Sequence, residues 1–217
     1  MSIRHVSAVC NVRVLIACER TQRVCLEFRR LGHEAYSCDT QPAAGGHPEW
    51  HIHDDVLRVL NHSWDMVIAF PPCTHLSGAC GHLWPLKAAD GRQAAAFDFV
   101  LKIWESCEKV CIENPQGWLN TNWRKPDQTV HPYFFGDPWM KRTCLWLKNL
   151  PKLHYVLEDT PLLNMMGVYK TAVDPVGYWV SSSNRKDGRL KNGQHGDADS
   201  RAETFSAIAR AMAEAWG

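Results

Sequence analysis

Asn11-Val-Arg-Val-Leu-Ile-Ala17, then residues 22–31, then Glu34-Ala-Tyr-Ser-Cys38 together decide the fold. The first peptide is an apolar run of strand length. In residues 22–31, Val24, Cys25, Phe28 and Leu31 recur at helical spacing, and Gly32 closes the helix. The third peptide is a short strand ending at Asp39. Strand, helix and strand in this order open a Rossmann-like α/β unit.

Outward from that unit the pattern continues. Residues 51–53 read as a third strand leading into Asp54-Asp55, and Trp64-Asp-Met-Val-Ile-Ala69 as a fourth. Residues 78–91 hold Gly and Pro with few apolar repeats and are expected to be loop. Residues 92–107 make a helix, and Glu108-Lys-Val-Cys-Ile112 a fifth strand. Residues 115–140 are rich in Pro, Asn, Gly and Trp with little periodicity, which predicts a long surface loop. Thr143-Cys-Leu-Trp-Leu147 is a sixth strand, and residues 174–200 are a polar insert rich in Gly, Ser, Lys and Arg. Residues 200–216 form an amphipathic helix with Phe205, Ile208, Ala209 and Met212 on one face. One domain over residues 1–217 is expected.

Composition narrows the function classes. The 217 residues are 45% hydrophobic and 22% charged, which describes a globular chain with a substantial core. A net charge of +1 gives no global basic field, so any nucleic-acid contact comes from local patches. No apolar run is long enough to span a membrane, and Met1-Ser-Ile-Arg-His-Val lacks the apolar core of a signal peptide. Nine scattered cysteines, an odd number, argue against a disulfide framework and for a reducing cytoplasm. Cys73, His75, Cys80 and His82 match no compact zinc spacing, so no metal is expected.

Two short peptides carry the chemistry. Phe70-Pro71-Pro72-Cys73 follows the fourth strand, and Ile112-Glu113-Asn114-Pro115 ends the fifth. If those strands are parallel neighbours, a thiol and a carboxylate share the carboxyl edge of the sheet, where open α/β sheets bind ligands. Such a pair suits covalent attack on a pyrimidine: the thiolate adds to the ring while the carboxyl group serves a ring nitrogen. The two prolines stiffen the turn and aim the thiol. A structural cysteine in an ordinary turn is the plainer alternative.

With Lys141-Arg142-Thr143 beyond them, these peptides resemble the motifs of the cytosine carbon-5 DNA methyltransferases, in particular the small phage and prophage forms. The resemblance runs from about Val14 to the C-terminus. It implies a Rossmann-like S-adenosylmethionine-dependent methyltransferase fold with a much reduced target-recognition region. It gives Cys73 the attack on carbon 6, Glu113 the contact to ring nitrogen 3, and Arg142 the hold on the pyrimidine carbonyl. Asn114, Lys141 and Thr143 fall beside the substrate. Glu19, Asp39, Asp55, Phe70 and Pro71 fall at the S-adenosylmethionine site: Glu19 for the ammonium, Asp39 for the ribose hydroxyls, Asp55 for the adenine amine. Each acid has an alternative as a solvated loop carboxylate or helix cap.

Two departures from the family pattern stand out. The turn Cys18-Glu19-Arg20-Thr21-Gln22-Arg23 has no glycine, where a glycine-rich turn normally lets backbone approach the cofactor. Only about sixty residues separate Arg142 from Ser200, too few for a sizeable recognition domain. DNA is the expected partner, read with short or relaxed specificity or through a specificity partner, with residues 115–140 and 174–200 as the contacting segments. Trp118 and Trp123 either stack on bases or anchor the loop. Lys141, Arg142, Lys148, Arg124 and Lys125 make a candidate phosphate-binding edge, and Arg185, Lys186, Arg189 and Lys191 a second. The rival readings are a pyrimidine-modifying enzyme with another donor or a free nucleotide as substrate, and a non-catalytic relic that binds cofactor or DNA.

Overall fold

The computed structural model describes residues 11–135, 141–155 and 204–217. The polar insert at 174–200 and its basic residues lie outside them, as do residues 136–140 of the expected long loop and residues 200–203 of the expected last helix.

Seven strands form one sheet: β1 Arg13–Ala17, β2 Glu34–Asp39, β3 His51–His53, β4 Met66–Ala69, β5 Val110–Pro115, β6 Gln128–Val130 and β7 Thr143–Lys148. Their order is β3-β2-β1-β4-β5-β7-β6. β1 to β5 run parallel. β7 runs antiparallel to both of its neighbours, β5 and β6. Among the described residues the helices are α1 Arg23–Arg30, α2 Val56–Val59, α3 Trp84–Ala89, α4 Arg92–Glu105, α5 Trp118–Asn122 and α6 Ser206–Trp216. This is the Rossmann-like α/β fold expected from the sequence.

The strands are apolar on both faces because both faces are covered. Val14 and Ile16 of β1, Met66 and Ile68 of β4, and Leu145 and Leu147 of β7 pack with α1 and α6. Leu15 and Ala17, Val67 and Ala69, and Trp146 point the other way, toward α2 and α4. This alternation fixes which face each functional side chain meets, since successive residues of a strand point to opposite faces.

Two expected loops are structured. Residues 78–91 contain a 3-10 turn over Gly78–Leu83 and then α3. Pro85, in the first turn of α3, needs no intrahelical donor there and presets the backbone. Residues 115–135 contain α5, β6 and a further 3-10 turn. α5 is too short to show helical periodicity, and β6 has only three residues. Both are held by tertiary contacts: Trp118 packs on Phe97 and Trp123 lies between Trp104 and Trp146 around α5, while β6 pairs with β7. Thr143–Lys148 is therefore the seventh strand in sequence. No helix among the described residues is long and apolar enough to cross a membrane.

Candidate active site

The strand order turns back at β1, with β2 on one side and β4 on the other. The crevice outside the carboxyl ends of β1 and β4 is therefore the topological switch point, where this kind of sheet binds ligands. The turn after β1 has no glycine, yet it keeps a glycine-like backbone: Cys18 has φ 60° and Gln22 has φ 59°. Each left-handed residue costs roughly 1–2 kcal/mol, so other contacts hold the turn. Gln22 is fully buried. Its Nε2 donates to the His47 carbonyl at 2.8 Å, and its Oε1 accepts from the His47 amide at 3.1 Å. Ala44 N donates to Arg20 O at 2.8 Å. A Cβ on Gly45 would lie 2.6 Å from the Thr21 carbonyl oxygen, so only glycine lets the two loops meet this closely.

The three acids at this edge occupy different situations. Glu19 is 4% exposed. Its carboxylate accepts from Val24 N at 2.7 Å and Cys25 N at 3.3 Å, so it holds the N-terminus of α1. Burial pushes its carboxyl up to about 7, against those two hydrogen bonds and the charge of Arg23. Asp39 accepts from Gln41 N through Oδ1, and Asp55 accepts from Leu57 N through Oδ1, capping α2. The second oxygen of each remains available. The structure thus gives both Glu19 and Asp55 helix-capping bonds; Glu19 accepts through both carboxylate oxygens, and Asp55 and Asp39 through one oxygen each.

The two chemical peptides meet as their strands predict. β4 and β5 are adjacent and parallel, with Ala69 opposite Ile112. One step further along lie Phe70 and Glu113. Phe70 N donates to Ala17 O at 3.0 Å, carrying Pro71 to the rim of the crevice. Asn114 is buried and its Nδ2 donates to the Pro71 carbonyl at 2.8 Å, tying β5 to the Pro-Pro turn. Cys73 is exposed on the loop beyond. Its thiol is raised above the ordinary value by partial desolvation among its neighbours first and then by the charge of Glu113, while Lys141 opposes both. Glu113 is also raised, chiefly by burial, against Lys141 and a hydrogen bond from Thr143. A carboxyl shifted in this direction holds its proton to higher pH than an ordinary one, the direction that suits a donor to a ring nitrogen.

Lys141 is the cation of this cluster, and Arg142 is not. Glu113 pairs with Leu145 across β5 and β7, and Lys141, Thr143 and Leu145 point to the same face as Glu113. A small pocket there is lined by Phe70, Glu113, Lys141, Thr143, Phe205 and Ile208. The Lys141 ammonium lies 5.6 Å from the centre of the Phe205 ring. Arg142 is exposed on the opposite face and donates to Gln116 Oε1 at 2.7 Å. Phe205 was legible only as a helix-face residue; its place at the pocket comes from α6 packing back against the sheet.

Other expected contacts divide. Trp118 and Trp123 anchor their segment to α4. Arg124 pairs with Asp127 and lies over Trp104, and Lys148 donates to the carbonyls of Trp104 and Cys107 at the far end of β7. Neither joins Lys141 and Arg142 in one basic edge. Among the described residues, no three His, Cys, Asp or Glu side chains gather to hold a metal ion.

No protein-family model and no curated protein matches the chain. Among solved structures it is similar to the S. pombe Dnmt2 methyltransferase, with a TM-score of 0.45 and 14% sequence identity. The match covers 70% of this chain and 54% of that one, so the chain spans about half the length of that enzyme.

Proposed function

We propose that this chain transfers a methyl group from S-adenosylmethionine to carbon 5 of cytosine in DNA, through a covalent adduct on Cys73. The observation that supports this reading is at one sheet edge: Glu113 and Lys141 line one pocket, and the charges of both act on the Cys73 thiol just beyond the neighbouring strand. Carbon 5 of cytosine is a poor nucleophile. Addition of Cys73 Sγ to carbon 6 moves an electron pair toward carbon 5 and nitrogen 3. Glu113 hands its proton to nitrogen 3, leaving an enamine. Lys141 holds the pyrimidine carbonyl, the role the sequence resemblance gave to Arg142, and favours the thiolate. After carbon 5 is alkylated, loss of its proton to a base and expulsion of Cys73 restore the ring, and Glu113 recovers its proton.

The crevice beside this cluster fits S-adenosylmethionine. Asp39 and Asp55 each keep one oxygen for a ligand, suited to ribose hydroxyls and an adenine amine. Phe70 and Pro71 form an apolar wall between crevice and pocket. When bound, S-adenosylmethionine supplies an electrophilic methyl group on a positively charged sulfur. Asp39→Ala is expected to weaken its binding by about 1–3 kcal/mol, the scale of a charge-assisted hydrogen bond. Cys73→Ser is expected to leave that affinity unchanged, and isothermal calorimetry checks both.

The target base leaves the helix to reach Cys73, so single-stranded or mismatched cytosine reacts at least as well as paired cytosine. The short interval after Arg142 supports short or relaxed specificity, with phosphate contacts carrying affinity that falls steeply as salt rises. The free thiols at all eight described cysteines suit a reducing compartment such as the cytoplasm. The test is methylation of plasmid DNA with labelled S-adenosylmethionine, followed by nucleoside analysis and bisulfite sequencing. The expected product is 5-methylcytosine spread over many sequence contexts. No incorporation together with no cofactor binding would sink the reading, and one long strict recognition sequence would sink the specificity claim.

A further inference from the structure

The loop that carries Cys73 is fastened from three sides by buried polar side chains. Asn114 of β5, 1% exposed, donates to the Pro71 carbonyl. Gln93 of α4, 4% exposed, donates to the His75 carbonyl at 3.3 Å. Lys87 of α3, also 4% exposed, donates through Nζ to the Thr74 carbonyl at 2.6 Å. The Cys73 carbonyl takes the amides of Leu76 and Ser77, at 3.0 and 2.8 Å. Backbone carbonyls on both sides of the nucleophile are thus spoken for, which fixes the peptide planes that aim its thiol.

Lys87 differs from the other two fasteners. A neutral amide suffices at Pro71 and at His75. Burying an ammonium is costly unless its charge is used. α3 exposes Leu83 just before it and Leu86 on its outer side, and turns Lys87 inward. Lys87 packs under the peptide that follows the nucleophile.

We propose that Lys87 is a positioning residue for the Cys73 nucleophile, acting through the Thr74 carbonyl. The proposal rests on the reading of Cys73 as the attacking group. Displacement of a reacting atom by about 1 Å costs on the order of a hundredfold in rate. Lys87→Met removes the donor with little change in volume and orphans the carbonyl. The expected result is a fall in kcat of about a hundredfold, with KM for cofactor and DNA within about twofold of wild type. Alkylation of Cys73 by iodoacetamide, followed by peptide mass spectrometry, slows in parallel, and Lys87→Arg recovers much of both. The alkylation arm needs neither cofactor nor DNA, so it decides the matter even if the wild type transfers no methyl group. Wild-type kcat and wild-type alkylation in Lys87→Met overturn the proposal, as does a loss confined to KM. If the Met variant does not fold, Lys87→Gln keeps a shorter neutral donor. A tenfold or greater loss in kcat or alkylation rate in that variant supports the role, and wild-type values overturn it.

Discussion

Cys73→Ser is expected to abolish both covalent trapping and methyl transfer. In DNA containing 5-fluorocytosine, a fluorine stands where the carbon-5 proton must leave, so the adduct cannot resolve. Wild-type protein mixed with such DNA and S-adenosylmethionine then gives a complex that survives denaturation and migrates as one species. A serine hydroxyl is a far weaker nucleophile than a thiolate at neutral pH. Turnover falls by about 10⁴-fold or more, the scale on which nucleophile removal acts. The exposed position of Cys73 makes this a clean comparison, because an exposed substitution shifts stability by only about 0.5 kcal/mol. Trapping that persists in the serine variant would transfer the role to another residue.

Glu113→Gln and Lys141→Met are expected to act alike on methyl transfer and oppositely on the thiol. Each lowers the transfer rate by about 10²–10³-fold, through lost proton donation in one case and a lost cationic contact in the other. The charge of Glu113 raises the Cys73 thiol and that of Lys141 lowers it. The ionised fraction of Cys73 in the free protein therefore grows when Glu113 is neutralised and shrinks when Lys141 is removed. At pH 8.5 iodoacetamide alkylates Cys73 faster than wild type in Glu113→Gln and slower in Lys141→Met. The wild-type alkylation rate climbs with pH past the range of an ordinary cysteine, because the group is raised. Arg142→Met, whose side chain lies on the other face against Gln116, loses less than about tenfold, the scale of a lost exposed contact. Arg142→Met matching the loss in Lys141→Met would restore Arg142 to the pyrimidine carbonyl.

The strands β1, β4 and β5 were legible because each holds a short run of apolar residues between polar or Pro breaks, and β2 because Gly32 closes the helix before it. The Cys73 and Glu113 pair was legible for the same reason: both lie just past strand ends, and a parallel sheet brings strand ends together. α3, α5 and β6 were not, since their few residues carry no period and each is held by tertiary contacts: α3 against α4, α5 through Trp118 on Phe97, and β6 by pairing with β7. Which of Lys141 and Arg142 shares a face with Glu113 was hidden because it depends on the register of an antiparallel partner. A shift of one residue would exchange the two faces. Lys87 left no signal in the sequence, as a lysine in an apparent loop reads as solvated. The absent glycine after β1 was visible, but the left-handed backbone of Cys18 and Gln22 was not.

The clasp between Gln22 and His47 has a consequence for how the crevice opens. Its two hydrogen bonds join turns that lie 25 residues apart, and the neighbouring bond from Ala44 to Arg20 joins the same pair. Neither turn can leave without breaking all three, so the two turns part as a unit rather than by fraying. Segments of that kind exchange their amide hydrogens through one shared local unfolding event. The amides of Ala44 and His47 are therefore expected to report the same opening free energy.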